Sequence, residues 1–224
     1  MAIFQSSQIL SSDGTVYSFS PTTATIDGFS FTIPESFDIY YYDVLKVDEN
    51  TNLLVGSASS IDGDGSGIFY TTFDSDGFSS EPITVLNESR NSNQSSPQIA
   101  KNDTEIFVTW YNQSSSHSAG HFFDLSLNSV GDQITFSGGG LPVSAGDMSF
   151  SVFRVYGGGR TLSQNEISSD GLIRDEIVID AVSDTRFGAI TATDGNTWLT
   201  KTLYDGYSYN VYLGVQSRHL VDRI

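Results

Sequence analysis

The chain has 224 residues, and its 27 acidic and 10 basic side chains give a formal net charge of -17. A surface of that charge repels polyanions, so we expect no nucleic-acid partner and no anionic membrane surface. Cysteine is absent, which excludes disulfide bonds, thiol catalysis and cysteine-ligated zinc. No apolar run reaches the length of a membrane span, and the amino terminus lacks the pattern of a cleavable signal peptide.

The composition favours strands and turns. The chain contains 15 Phe, 11 Tyr and 21 Gly, and aromatic and β-branched residues are the ones enriched in β-sheets. An acidic surface suits a medium rich in salt or divalent cations, which screen or neutralise like charges. We therefore expect an all-β protein that is extracellular, or exposed on a cell surface or virion.

Internal repetition is the strongest pattern along the chain. Short apolar stretches recur around a corner that carries an aspartate, and these corners are at Asp13, Asp48, Asp103, Asp147 and Asp194. The spacing averages about 45 residues, which is typical of four-stranded propeller blades. The predicted repeat units are approximately 1–40, 41–90, 91–138, 139–184 and 185–224.

Hairpins with Asp/Asn and Gly turns make up the second half of the units, as at residues 69–85 and 165–179. Each unit thus has four strands, or about twenty short antiparallel strands in all. We predict a single domain, 1–224, that forms a five-bladed β-propeller. A β-sandwich and a division near residue 90 are the alternatives.

Aromatic residues provide candidate ligand contacts. Tyr40, Tyr42, Trp110 and Trp198 could form a platform on which sugar rings stack. However, alternate residues of a strand point to opposite faces of the sheet. Tyr41 and both tryptophans are therefore also candidates for packing in the core.

Two aspartate-rich loops are candidate calcium sites. Asp62 with Asp64, and Asp74 with Asp76, place carboxylates two residues apart ahead of a glycine, and such loops can offer several hard oxygen ligands to Ca²⁺. Neither loop completes an EF-hand. A simple turn is the alternative, because Asp and Gly also favour tight turns.

Residues 62–110 resemble the tandem propeller-like repeats of large bacterial RTX and type I-exported surface and adhesin proteins. The resemblance is carried by Val-Leu-Asn at 85–87, by Gln-Ser-Ser-Pro-Gln-Ile-Ala at 94–100 and by Phe-Val-Thr-Trp at 107–110. It implies a non-catalytic β-repeat in a surface or exported protein. The glycine-rich calcium-binding nonapeptides of RTX proteins are not present.

No catalytic motif is recognisable, since the chain lacks a G-x-S-x-G elbow, a P-loop and a dinucleotide fingerprint. We therefore expect no catalytic residues and a non-enzymatic structural or adhesive protein on a bacterial surface assembly or phage virion. Its partners would be other protein subunits and glycans. The alternative is a carbohydrate-binding or glycan-cleaving propeller.

Overall fold

The computed structural model describes the backbone of residues 7–10, 16–19, 23–26, 29–32, 39–59, 61–74, 77–78, 83–137, 140–146, 149–156, 161–181, 185–191, 197–204 and 209–216. Side chains are described for residues 41–59, 61–74, 83–137, 140, 142, 144, 149–152 and 163–171.

Twenty strands are described, and they form five sheets that follow one another along the chain. Sheet 1 contains β1 (Ser7–Leu10), β2 (Val16–Phe19), β3 (Thr23–Ile26) and β4 (Phe29–Thr32). Sheet 2 contains β5 (Ile39–Lys46), β6 (Asn52–Ser59), β7 (Ser66–Asp74), β8 (Gly77–Phe78) and β9 (Thr84–Val85). Sheet 3 contains β10 (Gln94–Lys101), β11 (Glu105–Asn112), β12 (His117–Asp124) and β13 (Ser129–Phe136). Sheet 4 contains β14 (Leu141–Gly146), β15 (Ser149–Tyr156), β16 (Thr161–Ser168) and β17 (Gly171–Ala181). Sheet 5 contains β18 (Thr185–Thr191), β19 (Thr197–Tyr204) and β20 (Tyr209–Gln216).

The strands of each sheet pair antiparallel in chain order, and in sheet 2 both β8 and β9 pair with β7. The first strands of successive sheets also contact each other, β5 with β10 and β10 with β14. They are therefore the inner strands, around which the sheets are arranged as blades. The prediction of an all-β, five-bladed β-propeller is confirmed. The described part of the chain contains no helix that is long and apolar enough to cross a membrane.

Aliphatic residues and one tryptophan pack between sheets 2 and 3. From sheet 2 the alternating residues Leu53, Val55 and Ile68 face sheet 3, which contributes Ile106 and Trp110 among others. Residues two apart in a strand share a face, so the repeated apolar positions of neighbouring sheets interlock to form this core.

Phenylalanine dominates the contact between sheets 3 and 4. Phe107 and Phe122 of sheet 3 stack with their ring centroids 4.2 Å apart, and Phe150 of sheet 4 lies 5.4 Å from Phe107. Gly120 makes room for this cluster, because a Cβ atom there would lie 2.5 Å from the Phe107 ring.

The predicted corners all fall between the first and second strands of their sheets. At the sheet 2 corner, Asp48 Oδ1 accepts hydrogen bonds from the backbone N–H groups of Asn50 and Thr51. In sheet 3 the same role belongs to Asn102, the neighbour of the corner residue Asp103, and Asn102 accepts from Thr104 N and Glu105 N. An amide oxygen can cap such a turn as well as a carboxylate. The corners at 13, 147 and 194 lie outside the described residues.

Candidate functional site

A polar cavity of about 400 Å³ lies between sheets 2 and 3. Sheet 2 and its β6–β7 loop contribute one wall and sheet 3 with the segment before it contributes the other. The lining residues are Tyr41, Ser57, Ser59, Gly65, Ser66, Asn93, Ser95 and Gln113. The cavity volume is in the range of about 300–1,000 Å³ that is typical of small-ligand sites. We call it the inter-sheet cavity.

Tyr41 and Ser57 are cross-strand partners in β5 and β6. The Tyr41 side chain is 54% exposed, whereas Ser57 is almost fully buried. The Ser57 Oγ atom has no hydrogen-bond partner. A buried hydroxyl group without a partner is destabilising, and Ser57 is one of the residues that line the cavity.

Asn93 joins the two walls. Its Oδ1 atom accepts a hydrogen bond of 3.1 Å from Ser66 N, and its Nδ2 atom donates a bond of 3.1 Å to Gln113 Oε1. Gly65 has a φ of +74°, and a Cβ atom there would lie 2.7 Å from Asn93 Oδ1. Glycine therefore permits both the left-handed turn and the close approach of the β6–β7 loop to Asn93.

A buried hydrogen-bond network supports this wall. Asn87 Nδ2 donates to Asp62 Oδ2 over 2.8 Å and to Gln94 Oε1 over 3.3 Å, while Asn87 Oδ1 accepts from Ile68 N over 2.7 Å. Gln94 Nε2 in turn donates to Asn91 O. Asn87 and Gln94 belong to the motif that carries the family resemblance, and their function in this structure is to fix the segment between sheets 2 and 3.

Asp43 lies two residues beyond Tyr41 on the same face of β5, about 7 Å further along the strand. Its Oδ2 atom accepts a hydrogen bond of 3.0 Å from Ile99 N of β10, and its Oδ1 atom accepts one from Val44 N. Burial raises the pKa of Asp43 to about 6, and the two backbone N–H groups oppose this rise. Asp43 is the one acidic residue in the described inner strands.

The structure revises the predicted aromatic contacts. Tyr41, a candidate for packing in the core, is exposed, and Tyr42 is partly buried. A register irregularity between Ile39 and Tyr41 precedes this stretch, and alternation alone does not show which tyrosine faces outward. The Trp110 ring is 2% exposed and belongs to the core between sheets 2 and 3, so it packs and offers no face to a ligand. The side chains of Tyr40 and Trp198 lie outside the described residues.

The predicted calcium ligands are not gathered into one site. The Asp62 carboxylate is buried and accepts hydrogen bonds from Asn87 Nδ2 and Asp64 N. Asp64 and Asp74 are exposed, and Asp76 lies outside the described residues. Within the described ranges, no three His, Cys, Asp or Glu side chains group together. Calcium binding stays a prediction, which a calcium titration followed by melting temperature would test.

Sequence comparison identifies no relative, since no family model and no curated protein matches the chain. The resemblance to exported surface repeats therefore stays a prediction.

Three solved structures share the fold over 94% or more of this chain. One is the polysaccharide lyase Uly1, with a TM-score of 0.57 and 10% identity over 95% of this chain and 58% of the lyase. Another is the α-L-arabinofuranosidase Arb93A from Fusarium graminearum, with a TM-score of 0.55 and 13% identity over 97% of this chain and 72% of that one. A third is CoXyl43, a family-43 β-xylosidase/α-arabinofuranosidase from a compost microbial metagenome. Its TM-score is 0.52 and its identity is 10%, over 94% of this chain and 89% of CoXyl43.

These similarities correct the expectation of a structural or adhesive role and the expectation that the protein is not an enzyme. All three proteins are glycan-cleaving enzymes by description, which contradicts the prediction of a non-enzymatic structural or adhesive protein. The lack of a catalytic motif did not support that prediction, because carboxylates that act from separate strands of a glycosidase leave no sequence motif. At identities this low, the similarity itself shows the fold, and the chemistry must be argued from this chain's own residues.

Proposed function

We propose that the protein is a glycan-cleaving β-propeller that acts at the inter-sheet cavity. The observation that carries the proposal is the combination of an exposed aromatic ring, Tyr41, with a cavity lined by hydroxyl and amide groups. Sugar rings combine an apolar face with a rim of hydroxyl groups, so they match an aromatic surface that is surrounded by hydrogen-bonding side chains.

Asp43 is the candidate catalytic base. It shares a strand face with Tyr41, and the N–H groups of Ile99 and Val44 orient its two oxygens. These donors favour the carboxylate form, while burial brings the pKa to about 6. A group whose pKa lies near the working pH can accept a proton efficiently. The expected role is to activate a water molecule next to the bound glycan.

Asp64 is the candidate for the second carboxyl group that glycoside hydrolysis requires. It precedes the cavity residue Gly65 in the β6–β7 loop, and its side chain is exposed. A polysaccharide substrate also agrees with the extracellular location that the composition predicts. We include that location in the proposal.

The test is a cleavage assay on arabinan, xylan and a uronate polymer, with reducing-end release and the absorbance of unsaturated uronate as separate readouts. We expect cleavage by the wild type, and a loss of at least about 100-fold in Asp43→Asn, because general base catalysis contributes about 10²–10⁴-fold. The wild-type kcat/KM should fall as the pH decreases below about 6, where Asp43 becomes protonated.

The exposed corner residue Asp48 provides a matched control, and Asp48→Asn should retain full activity. The proposal fails if the wild type cleaves none of the three polymers. It also fails if Asp43→Asn cleaves as fast as the wild type with an unchanged pH profile.

A further inference from the structure

The inter-sheet cavity has an electrostatic character that the fold comparison does not reveal. The eight residues that line it in the described part of the chain include no lysine, arginine or histidine. Proteins usually recognise carboxylate or sulfate groups through charge-assisted hydrogen bonds from such side chains. An acidic sugar would therefore find no cationic partner in the lining.

Acidic residues lie close to the cavity. Asp43 lies on the strand face next to Tyr41, and the β6–β7 loop carries the buried Asp62 and the exposed Asp64 beside Gly65. The chain as a whole carries a net charge of -17, which repels anionic chains at long range.

The lysines of the inner strands are too remote to compensate. Lys46 and Lys101 lie at the far ends of β5 and β10, five positions from Tyr41 and six from Ser95, or about 17–20 Å at the rise of a strand. The Lys101 ammonium group donates hydrogen bonds to the carbonyl oxygens of Lys46 and Val47. It is thus engaged at the opposite end of the sheets.

Ser57 supplies the second, independent observation. Its Oγ atom is buried, lacks a hydrogen-bond partner and belongs to a cavity-lining residue. A hydroxyl group both donates and accepts hydrogen bonds, so it can pair in either direction with a hydroxyl group of a neutral sugar.

We propose that the inter-sheet cavity is a binding subsite for neutral sugars, in which Tyr41 stacks on the sugar ring and Ser57 bonds to a ring hydroxyl, and that acidic sugars are excluded. This rests on the proposed function and names its substrate class. It selects hydrolysis of neutral glycans over elimination on uronates, because elimination acts beside a sugar carboxylate and requires that negative charge to be neutralised.

The test uses the full chain carrying Asp43→Asn, so that ligands are not consumed. Isothermal titration compares xylotriose and arabinotriose with a galacturonate trimer at low and at high salt. We expect a neutral trimer to bind and the acidic trimer to show no binding at either salt concentration. High salt screens the long-range repulsion, so the affinity measured at high salt reports the contacts with the lining residues.

Two further substitutions in the same background locate the subsite. Tyr41→Ala should weaken neutral-trimer binding by about 10-fold or more through the loss of stacking. Ser57→Ala should weaken it by about 5-fold, the effect of one hydrogen bond. The matched controls are Leu125→Ala, which alters another exposed large apolar residue, and Ser126→Ala, which removes an exposed hydroxyl. Both should bind like the parent.

Equal affinity for the acidic trimer, no binding of either neutral trimer, or unchanged binding in Tyr41→Ala would overturn the inference. The cleavage assay on the wild type keeps the two proposals apart. Cleavage of the uronate polymer would leave the proposed function intact and remove the neutral specificity. Binding of a neutral trimer without any cleavage would do the reverse.

Discussion

The contact between sheets 3 and 4 and the contact between sheets 2 and 3 differ in what lies above their apolar cores. Between sheets 3 and 4, the rings of Phe107, Phe122 and Phe150 pack within 4.2–5.9 Å of one another. Between sheets 2 and 3, a core of mainly aliphatic side chains ends beneath the inter-sheet cavity, which is lined by hydroxyl and amide groups. One blade architecture thus supports two tasks, since the first contact contributes stability and the second leaves room for a ligand.

The largest effect should follow from breaking the aromatic contact. Phe107→Ala removes the ring at its centre and leaves a cavity, which should cost about 3–5 kcal/mol of unfolding free energy. Phe107→Leu keeps most of the volume and should cost much less. Urea denaturation of the two variants measures the difference, and equal losses would show that the ring geometry is unimportant.

The support of the cavity wall can be broken separately. Asn87→Ala should cost about 2–4 kcal/mol, because it leaves Ile68 N and the Oδ2 atom of the buried Asp62 without a partner. Asn91→Ala alters an exposed side chain in the same segment and should be close to neutral. Unlike Phe107→Ala, the Asn87 variant should also lose ligand binding at temperatures where it remains folded. If binding survives, the network does not hold the wall.

Asp43 makes the stability of the cavity contact depend on pH. Because its folded-state pKa is about 6 against an ordinary 3.8, the folded state binds more protons between these values, and stability decreases as the pH rises through them. At about 1.4 kcal/mol for each pKa unit, the loss is about 2–3 kcal/mol.

The difference between the wild type and Asp43→Asn isolates this contribution. Denaturation midpoints measured between about pH 4 and pH 7 should show the variant gaining stability relative to the wild type as the pH rises. A constant difference across that range would mean that Asp43 titrates normally. Asp48→Asn should show the opposite trend, a loss of stability relative to the wild type as the pH rises. The reason is that backbone hydrogen bonds hold the pKa of Asp48 below its ordinary value.

The smallest effect on stability should come from the cavity rim. Tyr41→Ala alters a side chain that is 54% exposed, so its unfolding free energy should change by less than about 0.5 kcal/mol. Because the same variant should lose neutral-sugar binding, the pair of measurements separates a ligand contact from a packing residue. A large loss of stability would assign Tyr41 to the core after all.

The sequence alone predicts the parts of this molecule that depend on local chemistry. Alternating apolar residues and Asp or Asn corners define the strands and their repetition, and Asp48 caps its corner as expected. The outward-facing tyrosine could not be predicted, because a shift of one position exchanges the two faces of a strand. The cavity was also inaccessible to sequence reasoning, since Tyr41, Ser57, Asn93 and Gln113 come from separate strands and loops.

Asp43 left no sequence signal, because its pKa is raised by burial and its Oδ2 atom is bound by the Ile99 amide, 56 positions away. In contrast, Asn87 and Gln94 belong to the motif that carries the resemblance to exported surface repeats. Their hydrogen bonds to Asp62, Ile68 and Asn91 show that this motif marks architecture. The catalytic and binding candidates lie at positions that the repeat pattern does not mark.

The hydrogen bonds of Asn87 have a thermodynamic consequence for whatever enters the cavity. They tie the segment before β10 to sheet 2 in a chain that has no cysteine for a covalent link. A wall that is already rigid loses little conformational entropy when a ligand binds. Association should then proceed without a slow loop closure, and the affinity should reflect the contacts themselves more than the cost of ordering the host.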